Sequence, residues 1–329
     1  MEYEIVTTVS GIKVLVVKRY MNPEKKPEIK EEDFDVVFFD IPEFTYNAIR
    51  YMLAKFSMLM SRKVQLKPKF MTPINASNLG RLSAVIDGFM LSVTDANLAV
   101  RTAQINTQIK SYGIQPMVGN IESERDFFIR LCQYCLSRGM HTFTSSSSAV
   151  FRKGLSAVYS ACLDLHDTVG IPGFPSDNQL RKFIVWLEKE GYCEKIKFIE
   201  RTHICPKCED DRLIFAESCN YCDSSHLKDE DMLHHFRCAH IAPESEFVFD
   251  NELRCPKCKH FLRHIGIDYD RPAKVSLCLD CGATLLHPVM KVRCTLCDNV
   301  TTPRMLKPFD IWECSFTKTG KQFLNAYKI

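Results

Sequence analysis

No uncharged apolar run in this 329-residue chain approaches the roughly 18 residues that a membrane-spanning helix requires. The opening, MEYEIVTTVSGIKVLVVKRY, has a charged second residue and lacks the shape of a signal peptide. Charge of one sign is also scarce: the formal net charge is +3, and from Arg201 to Ile329 18 Lys and Arg meet 18 Asp and Glu. A region without excess positive charge lacks the usual electrostatic basis for binding phosphates, although a local patch is still compatible with it. These absences point to a soluble, cytoplasmic protein with no membrane partner. They also rank nucleic acid below a signalling protein or a small ligand as its partner.

The hydrophobic content of 46% is ordinary for a globular chain, and the length suits two or three domains. Cysteine is unevenly spread. Twelve of the 16 lie between Cys205 and Cys314, and eight of the ten histidines lie from His203 onward. In a reducing compartment, paired C-x-x-C spacing reads as metal ligation, because two thiolates so close suit one tetrahedral ion. Cys132, Cys135, Cys162 and Cys193 fall outside this set. Cys132 and Cys135 share the two-residue gap but sit in the apolar pattern of FFIRLCQYCL, which makes them core residues.

The predicted fold is an α+β multidomain chain in three regions. Residues 1–118 form a small α/β module. IKVLVVKR, FDVVFFDI, KVQLKPKF and LSAVIDGFM read as strands, and TYNAIRYMLAKFSMLM and LSVTDANLAVRTAQINTQIKSYG as helices. Asp40 closes FDVVFFD, which resembles the phosphoacceptor strand of a response-regulator receiver. IKVLVVKRY has no acidic pair at its end, however, and only about 20 residues separate the two strands, so no magnesium site would support phosphorylation there. The module is therefore degenerate or unrelated, with Asp40 a strand-end or capping residue. Residues 119–200 read as a helical, winged-helix-like adaptor, in which TSSSS is a capping turn and SDNQLRKFIVWLEKEGY a capped amphipathic helix running into the strand CEKIKFIERTHICP.

Residues 201–329 read as a zinc-ribbon array with three sites. Five pairs are explicit: Cys205 and Cys208, Cys219 and Cys222, Cys255 and Cys258, Cys278 and Cys281, Cys294 and Cys297. LHHFRCAH supplies a sixth, with His235 ahead of Cys238 and with His234 and His240 as competitors for the position. Sequential pairing joins 205/208 with 219/222, 235/238 with 255/258, and 278/281 with 294/297, each across a short span. A nested scheme, 255/258 on 278/281 and 235/238 on 294/297, costs only about 1 kcal/mol more in loop entropy, so it stays open behind the sequential one. A donor set this rich in thiolate selects Zn2+, three ions per chain. The tail IWECSFTKTGKQFLNAYKI reads as a strand and helix over the ribbons, with Cys314 a buried thiol.

Through HICPKC, HHFRCAHIAPESEF, LRCPKCKHFLRHIGIDYDRP, CLDCG and CTLC, residues 125–320 resemble the thaumarchaeal output domain family. That resemblance implies a cysteine-rich, metal-binding output of a prokaryotic signalling or two-component system. Read with it, the sequence favours a non-catalytic zinc-binding adaptor over two alternatives. One is a nucleic-acid-binding transcriptional regulator, and the other a zinc enzyme with an open site near His264 and Asp268. In the loop between two knuckles, His264 and Asp268 suit an acid/base pair and Arg271 an anion site, but the same groups suit a brace around a thiolate cluster. The brace is favoured, because six complete knuckles leave no evident open coordination position. His203, His226, His260 and His287 are read as neighbours of the sites rather than ligands.

Overall fold

The computed structural model describes residues 2–19, 34–40, 49–50, 53, 66–73, 79–111, 123–148, 150–169 and 175–327. The chain divides into two compact units, one of residues 1–202 with 310–329 and one of residues 203–309. The first has mixed α/β character, and the second is built of antiparallel strands.

The first unit begins with a five-stranded sheet in the order β1 (Glu2–Thr7), β2 (Lys13–Arg19), β3 (Val36–Phe39), β4 (Lys69–Met71), β5 (Gly88–Phe89). β1 turns back antiparallel on β2, while β2 to β5 run parallel. The inner strands read as unbroken apolar runs because both faces are covered. Leu15, Val17, Val37, Phe39 and Met71 join one core, and the alternating Val14, Val16, Val36, Phe38 and Phe70 join another against Leu98 and Ile105 of α1 (Ala96–Ser111). LSAVIDGFM is mostly not a strand. Residues Gly80–Val85 form a 3-10 turn, since Leu82 and Val85 bury three apart and the Ser83 hydroxyl bonds the Gly80 carbonyl at 2.9 Å. Among the described residues of KVQLKPKF, 66–70, the strand takes in Lys69 and Phe70. The expected helix over 45–60 lies outside the described residues apart from Ile49, Arg50 and Leu53.

Three helices and two strands of a second sheet follow in this unit. They are α2 (Glu124–Ser137), β6 (Thr142–Thr144), α3 (Leu155–Val169), α4 (Asp177–Lys189) and β7 (Cys193–Ile204). α2 is buried from Asp126 to Ser137, which explains its apolar residues on every face and accounts for Cys132 and Cys135 as core residues. α4 starts at a capping box of Ser176 and Gln179. In TSSSS, Thr144, Ser145 and Ser146 are buried and Ser147 and Ser148 half-buried. Thr144 bonds Ser156 at 2.8 Å, and the Ser145 hydroxyl accepts the Trp312 N–H at 3.0 Å, because β6 pairs with a strand from the far end of the chain.

The second unit runs through β8 (Leu213–Ser218), β9 (Leu227–His235), β10 (His240–Pro243), the turn α5 (Glu244–Phe247), the hairpin β11 (Val248–Phe249) and β12 (Glu252–Leu253), β13 (Tyr269–Asp270), β14 (Lys274–Cys278), β15 (Thr284–Leu285), β16 (Val289–Cys294) and β17 (Val300–Thr301). The chain then returns as β18 (Lys307–Phe316) and α6 (Lys318–Ala326). The tail, expected over the ribbons, joins the first unit instead. β18 lies between β6 and β7, and Cys314, Phe316 and Leu324 enter the core of the first unit, where apolar surface is available to bury them.

A buried polar knot joins α2 to the N-terminal sheet. Arg138, at the C-cap of α2, grips Asp87 with two bonds of 3.0 and 3.1 Å and donates to the Leu66 and Lys67 carbonyls at 2.9 and 3.1 Å. Its guanidinium lies 4.0 Å from the Tyr134 ring centre. Lys69 sits beside it and donates to the Lys67 carbonyl at 2.9 Å. Burial, reinforced by the Arg138 charge, lowers the Lys69 pKa to about 7. The unfolded chain keeps this proton to about pH 10, so above pH 7 the unfolded state binds more protons and stability rises with pH until cysteines ionise near pH 8.5. Lys69→Met is expected to abolish that rise between pH 7 and about 8.5. The measurement is thermal unfolding followed by Trp186 and Trp312 fluorescence, and an unchanged pH profile would dismiss Lys69 as its source.

Candidate metal centres

Six turns carry the candidate ligands, and five of them share one backbone pattern. In each, the N–H of the residue after the second cysteine bonds the carbonyl of the first: Glu209 to Cys205 at 2.9 Å, Asp223 to Cys219 at 3.1 Å, Lys259 to Cys255 at 2.9 Å, Gly282 to Cys278 at 2.8 Å and Asp298 to Cys294 at 3.0 Å. Those residues, and Ala239 after Cys238, have φ between 50° and 74°. Gly282 alone adopts this left-handed geometry at no steric cost. The tight turn brings both cysteines of a pair to one side and aims N–H groups at sulfur. Burial pushes the Cys205 thiol up, but the N–H groups of Cys208 and Lys207 outweigh it and bring the pKa down to about 7. Cys219 is likewise brought to about 7 against burial by the N–H groups of Tyr221 and Cys222.

The antiparallel ladders decide which turns meet. β8 pairs with β16 so that Leu213 faces Cys294 and Ser218 faces Val289, and β9 pairs with β14 so that Leu227 faces Cys278. Turns at matching ends of paired strands therefore come together. Cys205 and Cys208 meet Cys294 and Cys297, Cys219 and Cys222 meet Cys278 and Cys281, and His235 and Cys238 meet Cys255 and Cys258. The sequential scheme holds only for the innermost group, and the nested alternative from sequence fails as well. All three groups are concentric. Closing the longer loops costs about 1–2 kcal/mol apiece in chain entropy, which the strand ladders offset.

The donor atoms fit one tetrahedral ion in each group. Sulfurs stand 3.7 Å apart for Cys205 and Cys297, 3.5 Å for Cys208 and Cys294, 3.6 Å for Cys219 and Cys281, and 3.5 Å for Cys222 and Cys278. Four ligands at about 2.3 Å around a tetrahedral centre require sulfurs about 3.8 Å apart. In the inner group the His235 Nδ1 lies 3.2 Å from Cys238 Sγ and 3.4 Å from Cys258 Sγ. His235 is therefore the histidine that joins the cysteines. His234 instead faces Asp270 at 3.3 Å, and His240 packs on Phe247 with ring centres 5.7 Å apart. Among the described residues His203, His226, His260 and His287 belong to no such group. His226 is held by Asp280 at 2.9 Å.

In the polar cluster after Cys258, Asp268 and Arg271 are bonded within their own surroundings. Asp268 accepts the main-chain N–H groups of Arg263 and His264, both at 2.9 Å, and these bonds hold its carboxyl below the usual range. Its hydrogen bonds go to the main chain of Arg263 and His264, and the His264 imidazole adds a weaker charge interaction. Arg271 is tied to Glu244 at 2.8 Å and Asp231 at 3.4 Å, which neutralise it as an anion receptor. Tyr269 and Asp270 pair with His235 and His234 as strand β13, which clamps the ligand histidine from the side. Asp40, by contrast, ends β3 with its N–H on the Val17 carbonyl at 2.9 Å, and no group of metal-donor side chains among the described residues includes it.

Residues 171–315 match the family Thaumarchaeal output domain 1. The match opens just before α4, takes in β7 and all twelve candidate ligands, and closes inside β18. It is shorter than the span from residue 125 suggested by the motifs, leaving out α2, β6 and α3. No curated protein and no solved structure matches the chain. Among the described residues no helix is long and apolar enough to cross a membrane.

Ala239 has neither the glycine's freedom nor a polar side chain to offset its φ of 50°. Ala239→Gly is expected to stabilise the metal-loaded second unit by up to about 1 kcal/mol, read as slower metal release to a competing chelator. Asp268→Asn should keep all three metals while Cys278→Ser loses one, as counted by native mass spectrometry. Metal loss in Asp268→Asn would refute the brace.

Proposed function

We propose that this chain is a non-catalytic output or adaptor protein in which three structural zinc ions hold a recognition surface in shape. The carrying observation is that each group offers four Cys or His donors converging on one point. A catalytic zinc keeps a position for water, and here the fourth donor occupies it in every group. Four thiolates, or three with an imidazole, suit Zn2+ better than magnesium or calcium. When bound, zinc supplies fixed geometry and charge neutralisation. The residues supply the rest, with the turn N–H groups stabilising thiolate and the Asp268 and β13 contacts fixing the loop around His235.

The second unit has little else to hold it. Its apolar clusters are small, one of Leu233, Ala242, Phe247, Leu262 and Tyr269 around Cys255, and one of Leu285 with Cys219 and Cys278. Structural zinc contributes on the order of 10 kcal/mol, more than such clusters supply. The first unit has an extensive core and no need of metal. The match to an output domain supports a place in prokaryotic signalling.

Elemental analysis of purified protein should give three zinc ions per chain, all resistant to mild chelation. Full stripping by a strong chelator should open residues 203–309 to protease while the tryptophan fluorescence of the first unit stays native. Two tight ions and one exchangeable ion would instead indicate an open, reactive site and overturn the non-catalytic reading.

A further inference from the structure

The first unit contains a topological pattern that the metal sites do not use. Its order α2, β6, α3, α4, β7, β18 closes with a three-stranded antiparallel sheet arranged β6, β18, β7. Three helices packed on a small sheet whose middle strand is the last in sequence is the arrangement of a winged helix. α3 and α4 are the helix-turn-helix pair and β7 and β18 the wing strands. The metal-binding unit is an insertion in the wing, between Ile204 and Lys307. In such a pair the second helix is the one that enters the DNA major groove.

The exposed stripe of α4 has the chemistry for that role. At 3.6 residues per turn, the exposed Lys182, Val185 and Lys189 fall on one line along the helix. Lys182 and Lys189 are exposed and have no ion-pair partner among the described residues, and Val185 is 59% exposed although the opposite face is packed. The acidic residues of the helix lie off this line: Asp177 accepts from the Ser147 hydroxyl and Glu188 is paired with Lys195 at 2.8 Å, while Glu190 is the C-cap. The other side of α4 is anchored by Leu180, Phe183, Ile184 and Leu187, so the stripe is presented on a fixed scaffold. Thirteen residues make a rod of about 20 Å, long enough to lie in a major groove about 12 Å wide.

We propose that this stripe of α4 docks in the major groove of double-stranded DNA. The lysines meet phosphates or guanine edges, and Val185 suits a thymine methyl. The charge balance of residues 201–329 bears on the inserted unit and leaves this local cationic line in place. The inference names a partner for the proposed output role and rests on that reading.

The test uses the full metal-loaded chain and a fluorescein-labelled DNA duplex of about 30 base pairs, with anisotropy measured at several salt concentrations. Lys182→Glu with Lys189→Glu is expected to weaken binding at least about tenfold and to make the salt slope shallower by about two. Arg81→Glu with Lys110→Glu, the same charge change elsewhere on the surface, should leave binding unchanged, and Lys182→Gln with Lys189→Gln should show the loss without charge reversal. Absence of duplex binding by the intact chain, binding to an RNA hairpin alone, or equal loss in both Glu pairs would overturn the proposal. Zinc counted in the same samples separates the readings. Three tight zincs without duplex binding remove the DNA partner and keep the structural-metal role, whereas a missing or labile zinc indicts the latter.

Discussion

The register of two antiparallel ladders governs the metal-binding half of this protein. Because Leu213 stands opposite Cys294 and Leu227 opposite Cys278, turns far apart in sequence become neighbours, and six cysteine or histidine pairs resolve into three concentric groups. A slip of one residue in either ladder would turn each strand's side chains to the opposite face and separate the donors. Ladder register and donor convergence are therefore mutually dependent. The strands are short and expose much of both faces, so they hold register only when the turns at their ends are pinned, and the turns converge only when the strands hold register.

The turns solve the electrostatic side of the same problem. A set of four thiolates concentrates negative charge, and the left-handed residue after each second ligand lets successive N–H groups point at sulfur. The strain of holding Glu209, Asp223, Ala239, Lys259 and Asp298 at positive φ is local, and the closing bond to the first ligand's carbonyl or strand pairing contains it. In the loop after Cys258, Asp268 gives its hydrogen-bonding capacity to the backbone and Arg271 to neighbouring carboxylates.

The first unit is held by different physics. Alternating residues of β2 and β3 feed two apolar cores, and α2 is buried along most of its length. Where polar groups enter this interior they are tied together. Arg138 satisfies Asp87 and two carbonyls at once, as a buried charge must, and Lys69 meets its burial by a lowered proton affinity. The return of β18 and α6 into this core makes the second unit an insertion, with both of its ends fixed on neighbouring strands of one sheet.

The metal-donor residues were legible in the sequence because a knuckle is local: two ligands three positions apart in a turn announce themselves by spacing, and His235 completes the count of pairs. The same locality made α1, α2, α4, β2, β3 and β7 readable from periodicity and capping. Which pairs of knuckles share an ion was not legible, since loop entropy changes too slowly with length to discriminate and the deciding term is hydrogen bonding between strands distant in sequence. Tertiary structure alone likewise decided that Gly80–Val85 would form a 3-10 turn, that Ser145 and Ser146 would be buried, and that the tail would join the first unit. In each case the outcome depends on what surface a remote segment offers for burial or pairing, and a chain read residue by residue does not contain that information.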